Sequence, residues 1–209
     1  MRLRDLRLSN CGITSLPSSL GQLTEMYILK LLKCGLLEKL PEELGDLVYL
    51  RCLDINNCAI SRLPSSFAKL TELTLLDIDF CEHLHELPDE LGGLVGLRRL
   101  MLNHSPITRL QPSLGQLTQL TDFNLWDCER LEELPEELGG LVGLCELTIH
   151  GSVITSLPSS IGNMTQLSCL DFLSCHRLQE LPEELGGLLN LRDLHLTHSG
   201  ILRLPSSLE

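Results

Sequence analysis

Aromatic residues make up only 3% of this 209-residue chain, and Trp126 is its one tryptophan. Hydrophobic residues still reach 43%, so leucine has to fill the core nearly alone, which points to one repeated slot shape rather than an irregular globule. Positive charge is also short. A formal net charge of −12 argues against a nucleic-acid binder, which must neutralise many phosphates, and against docking on an anionic membrane. No stretch approaches the ~20 apolar residues of a membrane span, and the opening MRLRDLRLSN has no signal-peptide hydrophobic segment. The nine cysteines are odd in number and lack paired spacing, which fits a reducing compartment better than a disulfide framework. A cytoplasmic protein is expected, and Asn163-Met164-Thr165, which has the form of a glycosylation acceptor, is then a chance match.

What is present in abundance is repetition. Aligned on L-x-x-L-x-L, repeats start at residues 3, 26, 50, 73, 97, 120, 144, 167 and 191; their spacings alternate between 23 and 24, so a 47-residue unit recurs without a slip. In Leu120-x-x-Phe123-x-Leu125 the alternation is strand-like, with side chains pointing inward at period two. One strand per repeat, stacked about 4.8 Å apart, makes a parallel sheet. A small polar slot follows (Cys11, Cys34, Cys58, Cys81, Ser105, Cys128, Ser152, Cys175, Ser199), able to offer weak donors where the backbone turns away from the sheet. An apolar plug such as Ile107 or Leu131 then returns the chain to the core. Pro-Ser-Ser-Leu-Gly or Pro-Glu-Glu-Leu-Gly reads as a short helical turn, opened by proline, favoured by carboxylates at its own N-terminus and stopped by glycine.

The phrases LPSSLGQLTQL and LxxCxxLxxLPEELGGL, with the nine-fold recurrence, resemble the leucine-rich repeat family. They are similar to its intracellular plant type, found in nucleotide-binding immune receptors and Ras-group leucine-rich repeat proteins. The resemblance implies an α/β solenoid, a curved horseshoe with nine parallel strands on the concave face and short helical turns on the convex side, spanning 1–209 as a single domain. The chain departs from many relatives in carrying Cys or Ser where asparagine is common. It has no G-x-x-x-x-G-K-[ST] loop, so any likeness to those receptors concerns their repeat region. Neither end reads as a cap; a fragment of a longer protein, a cloning remnant at Leu208-Glu209 and self-association through open end repeats are all expected on that ground.

Residues flanking the inward leucines should face out of the sheet. The slot between them carries Arg7, Lys30, Asp54, Asp77, Met101, Asn124, Thr148, Asp171 and His195. The next slot carries Leu32, Asp79, Asn103, Trp126, His150 and Leu173 among others, and the one beyond it Phe80, His104 and Asp127. These columns are chemically scrambled where the inward columns are monotonous, as expected of a recognition surface on a constant scaffold. Leu32, Phe80, Trp126 and Leu173 are large apolar groups expected to lie exposed in even repeats, with Trp126 and Phe80 as anchors. Asp77, Asp79, Asp127 and Asn103 would orient polar groups around them, and Asp54, Met101, Asn124 and His150 would complete the face. Basic residues (Arg4, Arg7, Lys30, Lys33, Arg51) crowd the first strands and carboxylates follow. The plainer reading, that outward positions are simply free to vary, stays open.

Signals for chemistry are weak. His83-x-His85 and His195/His198 lack a third metal ligand, Cys145 and Cys169 are a conceivable redox pair only in an oxidising context, and no Ser-His-Asp or paired-carboxylate constellation can be placed. No catalytic group, cofactor or metal is expected; the partner would be a protein or peptide, with no nucleic acid and no membrane. Two rivals remain. One is an engineered or consensus-like repeat protein without a natural partner, against which Met26, Phe123, Met164 and the shifted Gln111-Pro112 count as breaks in identity. The other is an enzyme accessory domain.

Overall fold

The computed structural model describes residues 2–208; Glu209, half of the expected cloning remnant, lies outside them. Nine strands follow one another in chain order in one sheet: β1 (Asp5–Ser9), β2 (Ile28–Leu32), β3 (Cys52–Asp54), β4 (Leu75–Asp77), β5 (Arg99–Met101), β6 (Asp122–Asn124), β7 (Glu146–Thr148), β8 (Cys169–Asp171) and β9 (Asp193–His195). Every neighbouring pair is parallel and in register, so Leu100, Phe123 and Leu147 sit side by side. The hydrogen-bonded ladder runs on past the strands: Phe80 N–H donates to Asn103 O at 2.8 Å, His104 N–H to Trp126 O at 2.7 Å and Asp127 N–H to His150 O at 3.0 Å.

Period two decides which side chains enter the core. Leu29 and Leu31, Leu100 and Leu102, Phe123 and Leu125, Phe172 and the plugs Ile107 and Leu131 are buried. Each fully buried leucine contributes roughly 1.5–3 kcal/mol. Phe67, Phe123 and Phe172 are the largest buried side chains, and Met26 and Met164 fill leucine slots with no loss of burial. The small polar slot donates as its chemistry suggests: Cys58 Sγ to Leu31 O at 3.1 Å, Cys81 Sγ to Ile55 O at 3.0 Å, Ser105 Oγ to Ile78 O at 3.3 Å and Cys128 Sγ to Leu102 O at 3.1 Å. Burial pushes the Cys81 and Cys128 thiols up to about 12, so they remain donors.

Just after each strand the chain turns through the left-handed region. Asn10, Lys33, Asn57, Phe80, His104, Asp127, Ser174 and His198 all have φ between 53° and 59°, and Gly151 completes the column at 62°. Asn, Asp and Gly suit this conformation; Phe80 does not, and holding it there costs about 1–2 kcal/mol.

The helical turns are 3-10 turns of five residues, such as Ser18–Gln22 and Glu136–Gly140, and among the described residues there is no α-helix. Two expectations about them need correction. Proline is the extended cap residue before the turn, and leucine, not glycine, ends it. Glycine lies inside the turn because the neighbouring repeat's backbone passes there: a Cβ on Gly139 would meet Ser160 Cβ at 2.6 Å. The carboxylates, moreover, cap the following repeat rather than their own. Glu136 accepts from Ser160 N–H at 3.1 Å and Ser159 N–H at 3.3 Å, Glu183 from Ser206 N–H at 3.1 Å and Ser207 N–H at 2.9 Å, and Glu42 from Ser66 N–H at 3.1 Å.

This explains the 47-residue unit: a Glu-Glu turn supplies acceptors and the next Ser-Ser turn presents its free N–H groups. The one shifted repeat fits the same logic. Pro112 has no N–H to offer and Asp89 before it is a methylene shorter, and no such bond joins them among the described residues. Because the Ser160 and Ser159 N–H groups hold the Glu136 pKa low, the stability it contributes is present above the ordinary carboxylate range and lost as pH falls through the folded value. Glu136→Gln should therefore melt lower than the parent at pH 7, and the gap should close as pH drops below about 4; thermal melts across that range check it.

Candidate protein interface on the concave sheet

Four rings line up along the edge where the strands end. Phe80 stacks on His104 with ring centroids 4.2 Å apart and planes 16° from parallel; His104 lies 5.9 Å from Trp126, and Trp126 meets His150 edge-on at 5.9 Å. The left-handed column and the slot before it build this arrangement. Phe80 and His104 share one column, Trp126 and His150 the other, so the ladder steps diagonally across four successive repeats. Phe80 and Trp126 are 42% and 49% exposed, while His104 and His150 are half-buried between and beside them. His104 was not singled out in the sequence, although it occupies Phe80's slot one repeat on.

The polar residues expected to surround the anchors are largely committed within the chain. Asn103 is 7% exposed. It donates from Nδ2 to Asp79 Oδ2 at 3.0 Å, accepts the Trp126 N–H on Oδ1 at 2.8 Å, and its own N–H meets Asp79 Oδ1 at 2.8 Å. This network fixes the Trp126 backbone rather than offering groups to a partner. Asp54, 8% exposed, is paired with Lys30 Nζ at 3.0 Å. Leu32 and Leu173, expected to be exposed, are half-buried at the sheet edge, as are Met101 and Asn124 on the sheet itself. Asp127 keeps an open carboxylate, 3.6 Å from His104 Nδ1.

Electrostatics divide the face. At the β1 end Arg7 folds back on Asp5 at 2.9 Å and Lys30 on Asp54, so much of the expected basic end is neutralised internally. Among the described residues Asp77 makes no such ion pair, although the Lys30 charge acts on it from the Asp54 side. It accepts the Asp79 N–H at 3.1 Å, and burial, reinforced by the Asp79 carboxylate, pushes its pKa up to about 6. Burial raises Asp79 too, against the bonds from Asn103. At Asp171 burial works upward, but bonds from His195 and His150 and from the Leu173 N–H outweigh it and hold the carboxyl low. His150 Nε2 lies 3.0 Å from Asp171 Oδ1. Among the described residues no group of three or more His, Cys, Asp or Glu side chains is placed to hold a metal, and no helix is long and apolar enough to cross a membrane.

An invariant apolar interior carrying a variable outward face is the architecture of a repeat-built binding scaffold. A family profile described as "Leucine-rich repeat region" matches residues 3–126 and 113–199, and the chain belongs to that family. No curated protein matches it by sequence. Among solved structures, a leucine-rich repeat protein of Leptospira interrogans, LIC12759, superposes with a TM-score of 0.87 at 31% identity over 99% of this chain and 52% of its own. The chain thus spans about half of that protein's length. The leucine-rich repeat domain of the type III effector XopL gives 0.69 at 24% identity over 91% of this chain and 75% of its own. A plant peptide hormone receptor, RGFR1 in complex with RGF2, gives 0.63 at 23% over 98% of this chain and 42% of its own. The last two show the fold alone.

Two measurements follow from the geometry. With half its surface open, Trp126 should emit at long wavelength and be quenched readily by acrylamide in the free monomer; a blue-shifted, quencher-resistant emission contradicts the placement. Asp77→Asn keeps the acceptor for the Asp79 N–H and removes a carboxylate whose charged form the fold disfavours. A raised carboxyl pKa destabilises the fold above the folded value and ceases to do so below the unfolded one. The variant should be more stable at pH 7 by on the order of 1 kcal/mol after allowing for solvent screening. That gain should fade as pH falls from about 6 towards about 4, as denaturant titrations would read.

Proposed function

We propose that residues 1–209 form one protein–protein interaction module that takes a protein or peptide on its concave sheet, without catalysis of its own. Family membership supports the interaction role. The observation that carries the site is the pair Phe80 and Trp126: two large aromatic rings held exposed, one of them a phenylalanine in a left-handed slot that Asn, Asp or Gly would fill with less strain. Strain and apolar exposure retained together are better explained by a contact than by neutral variation. The mechanism is rigid presentation, because a face braced by a continuous ladder loses little entropy on binding.

The compartment we propose is cytoplasmic. The buried thiols serve the fold as reduced donors to main-chain carbonyls, a role that disulfide formation would abolish. The biological setting suggested by the repeat phrases is the sensing region of a plant-type immune receptor or a signalling scaffold. That RGFR1 was solved with RGF2 supports a peptide as one class of partner for such a face.

The concave site is tested by affinity capture with the parent and with Trp126→Ala/Asp127→Arg. Asp127 serves better than Asp79 because its carboxylate is outside the Asn103 network, and Lys33 shows that the same backbone slot accepts a long cation. A partner held by the parent and captured about tenfold less by a variant with the parent's melting curve supports the site. Equal capture overturns it.

A further inference from the structure

The two repeat lengths have a geometric consequence beside the aromatic ladder. Even repeats carry one residue more than odd ones just after the small polar slot, as Cys81-Glu82-His83-Leu84 against Ser105-Pro106-Ile107 shows. A shorter odd repeat therefore leaves a notch between two longer neighbours. The notch over repeat five is a cleft of about 260 Å3 whose lining includes His104, the second ring of the ladder, and Pro106. Glu82 enters from repeat four and Asp127 and Glu129 from repeat six, against the single cation Arg130. Small-molecule sites run to about 300–1,000 Å3 and are mostly apolar; this one is smaller and acidic, the size of one extended side chain.

On the reading that the concave face binds a protein or peptide, the geometry points to its occupant: a basic peptide segment. One arginine or lysine side chain enters the acidic notch, and the cationic stem or a neighbouring cation lies against the Phe80 and Trp126 rings. Three observations converge on positive charge. The notch walls present three carboxylates to one guanidinium. The exposed rings offer π faces to which a cation is drawn. The adjoining sheet carries Asp77, whose carboxylate makes no ion pair among the described residues and whose charge burial disfavours more than the Lys30 charge favours it; a partner's cation within reach would relieve it. An acidic segment would meet Glu82, Asp127 and Glu129 together, and a neutral apolar one would leave them to be desolvated without compensation.

The lone tryptophan makes the test direct. Three capped nine-residue peptides free of Trp and Tyr, alike except for two positions holding arginine, citrulline or glutamate, are titrated into the full chain while Trp126 emission is read. The arginine peptide should give a saturable change that weakens with added salt. The citrulline peptide, equal in shape but uncharged, should bind at least about fivefold more weakly, and the glutamate peptide more weakly again. Phe80→Asn puts at this slot the residue that Asn10 and Asn57 already hold in the same conformation, so it should melt no lower than the parent while losing arginine-peptide affinity; Glu129→Gln should do the same.

Equal binding by all three peptides, binding by none, preference for glutamate, or an unchanged affinity in both variants overturns the cationic occupant. The wider reading is judged separately. If the captured partner is still lost with Trp126→Ala/Asp127→Arg while the peptides fail to discriminate, the concave site stands and its preference for basic segments falls. If that capture persists, the concave reading itself fails.

Discussion

A strand of three to five residues cannot satisfy its own backbone, and every other feature of this protein follows from that debt. Each repeat hands its N–H and C=O groups to the next, first through the parallel ladder, then through the left-handed residue that prolongs it, and finally through the turn on the opposite side. The side chains adapt to the same demand. Cys and Ser donate to carbonyls one repeat back, and glutamates accept from N–H groups one repeat ahead. Stability is therefore a property of neighbouring pairs, and no repeat has its hydrogen bonds complete alone.

That division frees the outer face. Because the inward pair of each strand, the plug after it and the apolar residues of the turn make up the core, the outward strand residues answer to local demands only. Some are met within the chain: Asn103 ties Asp79 to the Trp126 backbone, and Lys30 neutralises Asp54. Others remain unmet, as at Phe80, at Trp126 and at Asp77. These three lie close together, at and just beyond β4 and β6.

The period made the fold legible. A recurrence at 23 and 24 residues with inward leucines at period two leaves one arrangement of strands, and the structure has it. Trp126's outward placement was legible for the same reason, since one residue's offset from Leu125 reverses its face. The ladder it joins was not. Its contacts depend on a left-handed turn that Phe80 and His104 do not advertise, unlike Asn or Gly, and on a diagonal step between columns that only backbone geometry sets. The internal bonds of Asn103 and Asp79 were not legible either. Polar residues on an outward strand position look available from sequence, and nothing local reveals that a side chain one repeat away already occupies them. The glutamates of the Pro-Glu-Glu turns were assigned to their own turn because dipole arguments are local, whereas the acceptor geometry reaches across to the next.

The alternation of repeat types connects the scaffold to its site. Glu-Glu turns alternate with Ser-Ser turns, whose N–H groups the carboxylates reach, and the two types differ by one residue elsewhere in the repeat. The extra residue makes the strand-end edge crenellated, with a notch over each short repeat. Over repeat five the capping pair is broken by Gln111-Pro112, and it is there that His104 stacks on Phe80 and the carboxylates of both flanking repeats converge. The repeat that departs furthest from the framework's capping rule is thus the one that carries the most specialised surface.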